Sequence, residues 1–197
     1  IQTANIVSMI VYGVLGAPGL LLGGYIGDAV MKRRANGRML VGAIAIVISI
    51  PFILLALGRP GGDLGGFLVL MGLGCGLMYF YYSTVYSTIQ DVIEPGLRGT
   101  AMALYFMAMY LLGASFGPYI IGLVSDHFTQ QAAQTAGVTV FTQQSLEPFR
   151  ADGLHSAMYI IPVLSTLLAA VMFAASRTVA KEIAAMKTWM QDSFSKE

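Results

Sequence analysis

Two stretches of this sequence end in the same pattern: residues 17–28 read APGLLLGGYIGD, and residues 115–126 read SFGPYIIGLVSD. Both are apolar and rich in glycine, and both close on Gly-x-x-x-Asp, the aspartates being Asp28 and Asp126. The chain has only 10 acidic residues among 197. An aspartate at the same place in two such stretches therefore points to a repeated structural unit.

The composition around these stretches is that of a membrane protein. Hydrophobic residues make up 56% of the chain and charged residues only 11%, which is too few to cover a soluble globule. Several stretches lack Asp, Glu, Lys and Arg, and each is long enough to cross a hydrocarbon core of ~30 Å as a helix. They are residues 5–27, 39–57, 66–90, 99–125 and 154–176. A transmembrane barrel is disfavoured, because its strands would alternate polar and apolar residues.

The basic residues are unevenly distributed over the connections. Every Lys and Arg except Arg59 and Arg150 lies after the first span, between the third and fourth spans, or in the tail. Because excess positive charge stays cytoplasmic, the chain is predicted to enter from outside, cross five times and end in the cytoplasm. We expect a multi-pass protein of a plasma membrane, such as a bacterial inner membrane. The chain begins at Ile1, almost inside its first span, so we expect it to be part of a longer protein.

The sequence divides into a transmembrane bundle, residues 1–176, and a cytoplasmic amphipathic tail, residues 177–197. The polar connection 126–153 is predicted to be an outer loop, with one helical turn near Leu146–Phe149. The apolar residues of the tail fall on one helical face: Val179, Ile183, Met186, Met190 and Phe194. This pattern predicts a helix on the inner membrane surface, and a helix that binds a calmodulin-like partner is the alternative.

The two Gly-x-x-x-Asp stretches belong to spans that run in opposite directions, yet both reach water at the aspartate. That is the pattern of an inverted repeat. Three-helix units of this kind recur in secondary transporters, where the substrate site lies between the repeats. If the first and fourth spans are the second helices of successive triplets, the chain comprises helices two to six of a six-helix half.

At this point the sequence resembles a known family. GGYIGD (23–28) followed by KRRANGR (32–38) resembles the loop motif of the major facilitator superfamily, in its second-half version between helices eight and nine. The stretch LRGTAMALYFMAMYLLGASFGPYIIGLVSDHF (97–128) is similar to helix eleven of the spinster branch, whose members carry lysolipids, sphingoid lipids and related amphiphiles. The resemblance implies an all-α fold of five transmembrane helices, helices 8 to 12 of twelve, plus a C-terminal amphipathic helix. It also implies that the N-terminal half of the same transporter is a partner.

The resemblance also implies a gate motif at the end of the first span. The residues assigned to it are Gly24, Asp28, Arg33, Arg38 and Arg98. In the family a basic residue usually follows the aspartate directly, whereas here Ala29 follows it. Which arginine, Arg33 or Arg38, takes the structural role is therefore open, and Asp28 has an alternative role as a solvated helix end.

Glycines at four-residue spacing predict close helix approach within the membrane. They include Gly19 and Gly23 in the first span and Gly72 and Gly76 in the third. In the fourth span the residues predicted to pack against a neighbouring helix are Gly113, Gly117, Pro118 and Gly122. Tight packing alone explains any one of these glycines, whereas their recurrence also fits helices that rock against each other.

Polar aromatic residues mark the third span as the wall of a cavity. Tyr79 and Tyr82 lie near the middle of an apolar run, where an unpaired phenol costs about 1–3 kcal/mol. A wet cavity satisfies such groups, as interhelical hydrogen bonds also would. The predicted substrate cavity comprises Tyr79, Tyr82, Ser83, Tyr86 and Gln90, joined in its outer half by Asn5, Ser8 and Tyr12.

The sequence contains no pattern typical of an enzyme. It has no nucleophile–base pair, no phosphate-binding glycine loop and no Cys/His metal spacing; His127 and His155 lack the three or four converging ligands that a metal needs. We therefore assign no catalytic residue, no cofactor, no metal and no nucleic-acid partner. The primary interpretation is a secondary active transporter in the lipid bilayer that moves an amphiphilic or small organic solute by alternating access. The alternative is a non-transporting receptor or scaffold that keeps the fold.

Overall fold

A computed structural model of the chain describes residues 9–60, 62–138 and 140–194, except for the side chains of 10–12, 193 and 194. Every regular element in these ranges is a helix, and the ranges contain no strand. The all-α fold predicted from the sequence is therefore confirmed for the described chain. The residues up to Met102, with those from Leu164 onward, form one compact unit, and Ala103–Val163 form a second.

The helices follow one another with short connections. In chain order they are α1 (Gly16–Met31), α2 (Gly37–Leu57), α3 (Leu64–Met78), α4 (Phe80–Val92), α5 (Arg98–Ala108), α6 (Phe116–Thr135), α7 (Gln143–Leu146), α8 (Arg150–Met158) and α9 (Ile160–Phe194). Two π-helical segments, Met9–Val14 and Met109–Ser115, directly precede the α1 and α6 regions. Single turns of 3₁₀ helix lie at Pro95–Leu97 and Glu147–Phe149.

Within the described residues, four helical stretches are long and apolar enough to cross a membrane. They are Gly37–Leu57, Leu64–Val92, Pro95–Thr135 and Gln143–Asp192, and they contain the second to fifth predicted spans. The first predicted span, 5–27, begins outside the described residues, and its described part is the π-helical segment Met9–Val14 followed by α1. The total of five spans therefore stays a prediction.

Glycines bring α1 into close contact with α3 and α4. Gly19 and Gly23 are buried on α1. A Cβ atom added at Gly19 would lie 2.0 Å from the carbonyl oxygen of Gly76, and one added at Gly23 would lie 2.6 Å from Ser83 Oγ. Because no side chain fits between the helices here, the predicted close approach at these glycines is confirmed.

The core of the first unit joins α2, α4 and α9. Met39, Ala43 and Ile46 of α2 pack against Ala169 and Met172 of α9, and side chains of α4 cover the same cluster. Between helices in lipid, such contacts stabilise the bundle through close packing rather than through removal of apolar surface from water. Through this packing, α9 is held against α2 and α4.

The predicted tail is continuous with the last span. Helix α9 is 35 residues long, about 50 Å at 1.5 Å per residue, so it extends well beyond a ~30 Å hydrocarbon core. On the predicted apolar face, Ile183 is buried and Val179 packs against the core cluster, while Lys181 and Trp189 are exposed. The described part of the predicted tail is helical, as a direct extension of the span rather than a separate element, and its place on the inner membrane surface stays a prediction. The boundary at residue 177 stays a prediction.

The π-helical segments coincide with prolines at corresponding places in the two predicted repeats. Pro18 is the third residue of α1 and Pro118 is the third residue of α6. Proline lacks an N–H, and its ring clashes with the carbonyl four residues earlier, which belongs to Val14 or Ala114 inside the π-helical segments. The wider π turn accommodates that carbonyl. Pro51 lies inside α2 without such a segment, so proline alone does not impose it.

The predicted outer loop 126–153 is wrong at both ends, because α6 continues to Thr135 and α8 begins at Arg150, whereas the helical turn expected near Leu146–Phe149 is confirmed. The Ala and Gln residues after Asp126 are good helix formers. Small residues let α8 pack on α6: Ala133 and Ala157 are fully buried, and a Cβ added at Gly153 would lie 2.0 Å from Thr129 Oγ1.

The fourth-span residues predicted to pack against a neighbouring helix have open space around them in the second unit. A Cβ added at Gly113, Gly117 or Gly122 would meet no atom within 4 Å, and Pro118 is exposed. Their packing against a neighbouring helix therefore stays a prediction. Glycine spacing specifies a helix face that permits close approach, but it does not specify which helix approaches.

Candidate functional site

A tight turn between α1 and α2 positions the first part of the candidate site. Helix α1 ends at Met31 and α2 begins at Gly37. A Cβ added at Gly37 would lie 2.7 Å from the backbone nitrogen of Met31, so the turn needs glycine there. The turn brings Arg38, the second residue of α2, back beside the last turns of α1.

Arg38 joins two carboxylates that belong to different helices. Its Nη2 lies 2.8 Å from Asp28 Oδ1, its Nε donates to the same oxygen at 2.9 Å, and its Nη1 pairs with Asp91 Oδ2. The Arg38 side chain is 21% exposed, against 29% for Asp91 and 58% for Asp28. A guanidinium presents several donors in a fixed plane, so this one residue ties the end of α1 to the end of α4.

The network answers the question that the sequence left open. Of the two candidate arginines, Arg38 bonds to Asp28, whereas Arg33 is exposed and forms no ion pair with a described residue. Gly24 lies one turn before Asp28 on α1. Arg98 lies apart from the network: its Nε donates to the Ile93 carbonyl at 3.3 Å, at the carbonyl end of α4, where a cation is favourable.

Asp91 is the member of the network that the sequence analysis missed. It directly follows the third charge-free run and is the first acidic residue after Asp63. The feature of the sequence that could have identified Asp91 was its position as an acidic residue at the boundary of a predicted span. Its partner could not be identified, because Arg38 is 53 positions away in the sequence.

A hydrogen bond brings α9 to the same end of the first unit. Asn36 Nδ2 donates to the backbone carbonyl of Ser176 at 3.1 Å. The ends of α1 and α4 and the middle of α9 therefore meet at one end of this unit. The connections that follow α1 and α4, and the last part of α9, contain the basic residues that were predicted to lie on one side of the membrane. The structure confirms that the three segments lie at the same end of this unit, while the compartment they face stays a prediction.

The second part of the candidate site is a groove along α4. Its volume is about 450 Å³, within the range of small-molecule pockets. The lining residues are Leu20, Tyr79, Tyr82, Ser83, Tyr86 and Ser87. None of these described lining residues is charged, and its tyrosines and serines lie within the candidate span Leu64–Val92.

Tyrosine rings and serine oxygens give the groove its chemistry. The ring of Tyr82 stands edge-on to those of Tyr79 and Tyr86, with centroids 5.5 and 5.6 Å apart. Ser83 Oγ donates to the Phe80 carbonyl at 3.1 Å and Ser87 Oγ to the Ser83 carbonyl at 2.8 Å. Because these donors bond within the helix, both serine oxygens are left to accept hydrogen bonds.

The groove unites four of the predicted cavity residues, Tyr79, Tyr82, Ser83 and Tyr86. Gln90 is exposed and does not line it. Asn5 and Ser8 lie outside the described residues, as does the side chain of Tyr12. The sequence analysis missed Leu20 of α1 and Ser87, although Ser87 lies one helical turn after Ser83 on the same face.

Long apolar helices, an ion-pair network at one end and an uncharged groove within a candidate span together define a multi-pass integral membrane protein. The Major Facilitator Superfamily model matches residues 2–118 of this chain. That is more than half of its length, and the chain belongs to this superfamily.

Curated proteins of the spinster group are similar to this chain. Protein spinster homolog 1 of Xenopus laevis is 32% identical over 113 residues, which cover 57% of this chain and 22% of that protein. Protein spinster homolog 3 of Danio rerio is 27% identical over 117 residues, covering 59% and 24%. Protein spinster homolog 1 of Homo sapiens is 29% identical over 121 residues, covering 59% and 23%. The predicted likeness to the spinster branch is confirmed, and the matches span less than a quarter of each of these relatives.

Proposed function

We propose that this chain is the C-terminal part of a secondary active transporter that moves an amphiphilic or small organic solute by alternating access. The observation that carries the proposal is the uncharged tyrosine and serine groove within the span Leu64–Val92. Membership of the major facilitator superfamily supports transport. The solute class rests on the chemistry of the groove and on the likeness to spinster homologs.

The groove favours a solute that is part apolar and part polar. Tyrosine rings provide apolar faces and polarisable edges, and Leu20 adds an aliphatic contact. Ser83 and Ser87 accept hydrogen bonds from a donor on the solute. Since no charge lines the groove, a solute that carries a charge must place it elsewhere in the intact transporter.

The ion-pair network is proposed as a gate element at the cytoplasmic end. Arg38 holds Asp28 and Asp91 on two helices that also form the groove. Contacts that exist only in one conformation shift the population towards it. The N-terminal half of the transporter is the proposed partner across the gate, since the relatives are more than four times as long as the matched part.

Transport by the full-length protein, reconstituted in vesicles, tests the role of the groove. The Tyr79 hydroxyl has no hydrogen-bond partner among the described residues, so Tyr79→Phe removes a polar group without breaking an internal contact. We expect Tyr79→Phe and Tyr86→Phe to weaken solute binding about fivefold to tenfold, the worth of one hydrogen bond of about 1–1.5 kcal/mol. Expression and thermal stability should stay near those of the parent.

The matched control is Tyr25→Phe, because Tyr25 is 76% exposed on α1 and does not line the groove. It should transport like the parent. If both groove variants also transport like the parent, the groove is not the solute site. If cysteines placed at 79 and 86 never react with water-soluble thiol reagents, the groove is not on the transport path.

A further inference from the structure

The turn that positions Arg38 also carries three cations that the ion-pair network leaves unused. Lys32, Arg33 and Arg34 are exposed, and none of them pairs with an acidic group among the described residues. Arg38 already engages the carboxylates of Asp28 and Asp91. The positive charge of this turn is therefore not neutralised within the described chain.

Helix α9 brings two more cations to the same end of the first unit. The bond from Asn36 to the Ser176 carbonyl, 3.1 Å long, fixes this part of α9 against the turn. Arg177 follows directly and Lys181 lies one helical turn further, and both are exposed and without an ion pair in the described chain. Glu182 is the nearby acidic residue in the sequence, so a positive excess remains.

An apolar surface adjoins these cations. The last turns of α1 before the basic turn expose Leu21, Leu22, Tyr25 and Ile26, at 74%, 52%, 76% and 39%. A ligand that fits both features has a phosphate and a hydrocarbon chain. Guanidinium groups pair with phosphate oxygens in a planar, two-point geometry, and the aliphatic stems of Lys and Arg can lie along the apolar surface.

We propose that this set of cations, here called the basic collar, binds the phosphate headgroups of anionic phospholipids in the adjacent leaflet. The collar comprises Lys32, Arg33, Arg34, Arg177 and Lys181. Basic clusters at the end of a membrane span attract anionic lipids by about fivefold in affinity for each Lys or Arg near the surface. Basic residues at such positions also orient a membrane protein or stabilise the end of a helix. Neither of these alternative roles involves a bound lipid.

Lipid selectivity of the full-length protein in detergent tests the proposal. The protein is mixed with equal amounts of phosphatidylglycerol and phosphatidylcholine, and the lipids retained on it are counted by native mass spectrometry. The parent should retain phosphatidylglycerol preferentially. In K32Q/R33Q/R34Q the preference should fall by about fivefold for each charge removed, and in R177Q/K181Q by a smaller factor in the same sense.

The matched control is R59Q/R150Q, which removes the two arginines that pair locally with Asp63 and Glu147. It should keep the parental preference, as should R33K/R34K, which retains both charges. Circular dichroism and gel filtration check that each variant is folded. If K32Q/R33Q/R34Q does not fold, the proposal is tested with R177Q/K181Q.

An undiminished preference in the folded collar variants would overturn the proposal, and so would an equal loss in the R59Q/R150Q control. Glycerol phosphate at the same concentration should not displace the bound lipid. If it displaces the lipid as well as phosphatidylglycerol does, the collar binds free phosphate esters instead. Lipid retention is measured without solute transport, so a failure of this proposal can be distinguished from a failure of the proposed function.

Discussion

Arg38 and its two carboxylates are the residues on which the proposed gate depends. Arg38 is the only member that touches both of the others, and it is the least exposed of the three. Partly exposed ion pairs are worth about 0.2–1 kcal/mol each. Their importance here lies in joining the end of α1 to the end of α4, because a contact between elements can distinguish one conformation from another.

Replacing Asp28 by Asn is expected to weaken the closed cytoplasmic side. The substitution keeps the size of the side chain, removes its charge and leaves Arg38 with Asp91 alone. If the closed state loses about 0.2–1 kcal/mol, the worth of one partly exposed ion pair, the inward-open fraction rises by about 1.4-fold to fivefold. Spin-label distances across the cytoplasmic ends of the full-length transporter measure this fraction.

The control for Asp28→Asn is Glu147→Gln, since Glu147 is 70% exposed and pairs only locally with Arg150. It should leave the distance distribution unchanged. An unchanged distribution in the Asp28 variant would make Asp28 an ordinary solvated helix end, which is the alternative that the sequence also allowed.

At the scale of the element, the contact of α1 with α3 and α4 depends on the absence of side chains. The Gly-x-x-x spacing of α1 brings Gly16, Gly19, Gly23 and Gly27 to one buried face. Helices in lipid associate through close packing rather than through the hydrophobic effect. A single added methyl group at the closest point should therefore separate the two backbones.

Gly19→Ala is expected to lower the thermal midpoint, because the new Cβ would lie 2.0 Å from the Gly76 carbonyl oxygen. Overpacking of this kind costs about 1–3 kcal/mol. Gly24→Ala on the same helix is the matched variant, since its Cβ would have Ser83 Cβ as nearest neighbour at 3.8 Å. Alanine is also a better helix former than glycine by about 1 kcal/mol, so this variant should match or exceed the parent. Equal midpoints for the two variants would mean that α1 does not cross α3 as described.

At the scale of the whole molecule, α9 links the tail to the core of the first unit. Met172 and Val179 belong to one helix and pack on one cluster, and Ile183 is buried further along. The tail therefore contributes to stability through the bundle. The groove residues lie on α1, on α4 and at Tyr79 between α3 and α4, and no described residue of the tail lines the groove.

Deleting residues 178–197 should leave transport measurable and lower thermal stability. The deletion removes Val179 and Ile183, and truncating buried aliphatic side chains costs about 2–5 kcal/mol each when they are fully enclosed. A shorter deletion, 188–197, keeps both residues and should retain the parental midpoint. Complete loss of transport by the longer deletion, with normal membrane insertion, would instead make the tail a gate or coupling element.

The sequence predicted part of the candidate site because that part depends on local spacing. Tyr79, Tyr82, Ser83 and Tyr86 recur at three and four residues, and a helix brings such residues to one face. Asp28 and the basic turn were predicted from a contiguous motif. Asp91 and Leu20 were not predictable in this way, since each depends on a contact between segments far apart in the chain. The choice of Arg38 over Arg33 depends on the geometry of the turn between α1 and α2, which returns Arg38 to Asp28.

Composition and hydropathy by themselves determined that the chain is a helical membrane protein and where most of its spans lie, because burial in lipid requires long apolar helices whatever the contacts between them. The recurrence of small residues in α1 likewise determined which face could approach another helix. Only the tertiary structure decided that α3 and α4 meet that face and that α9 continues to Phe194 without a break. A residue's spacing fixes the face on which it lies, whereas its partner depends on the three-dimensional arrangement of every helix that competes for that face.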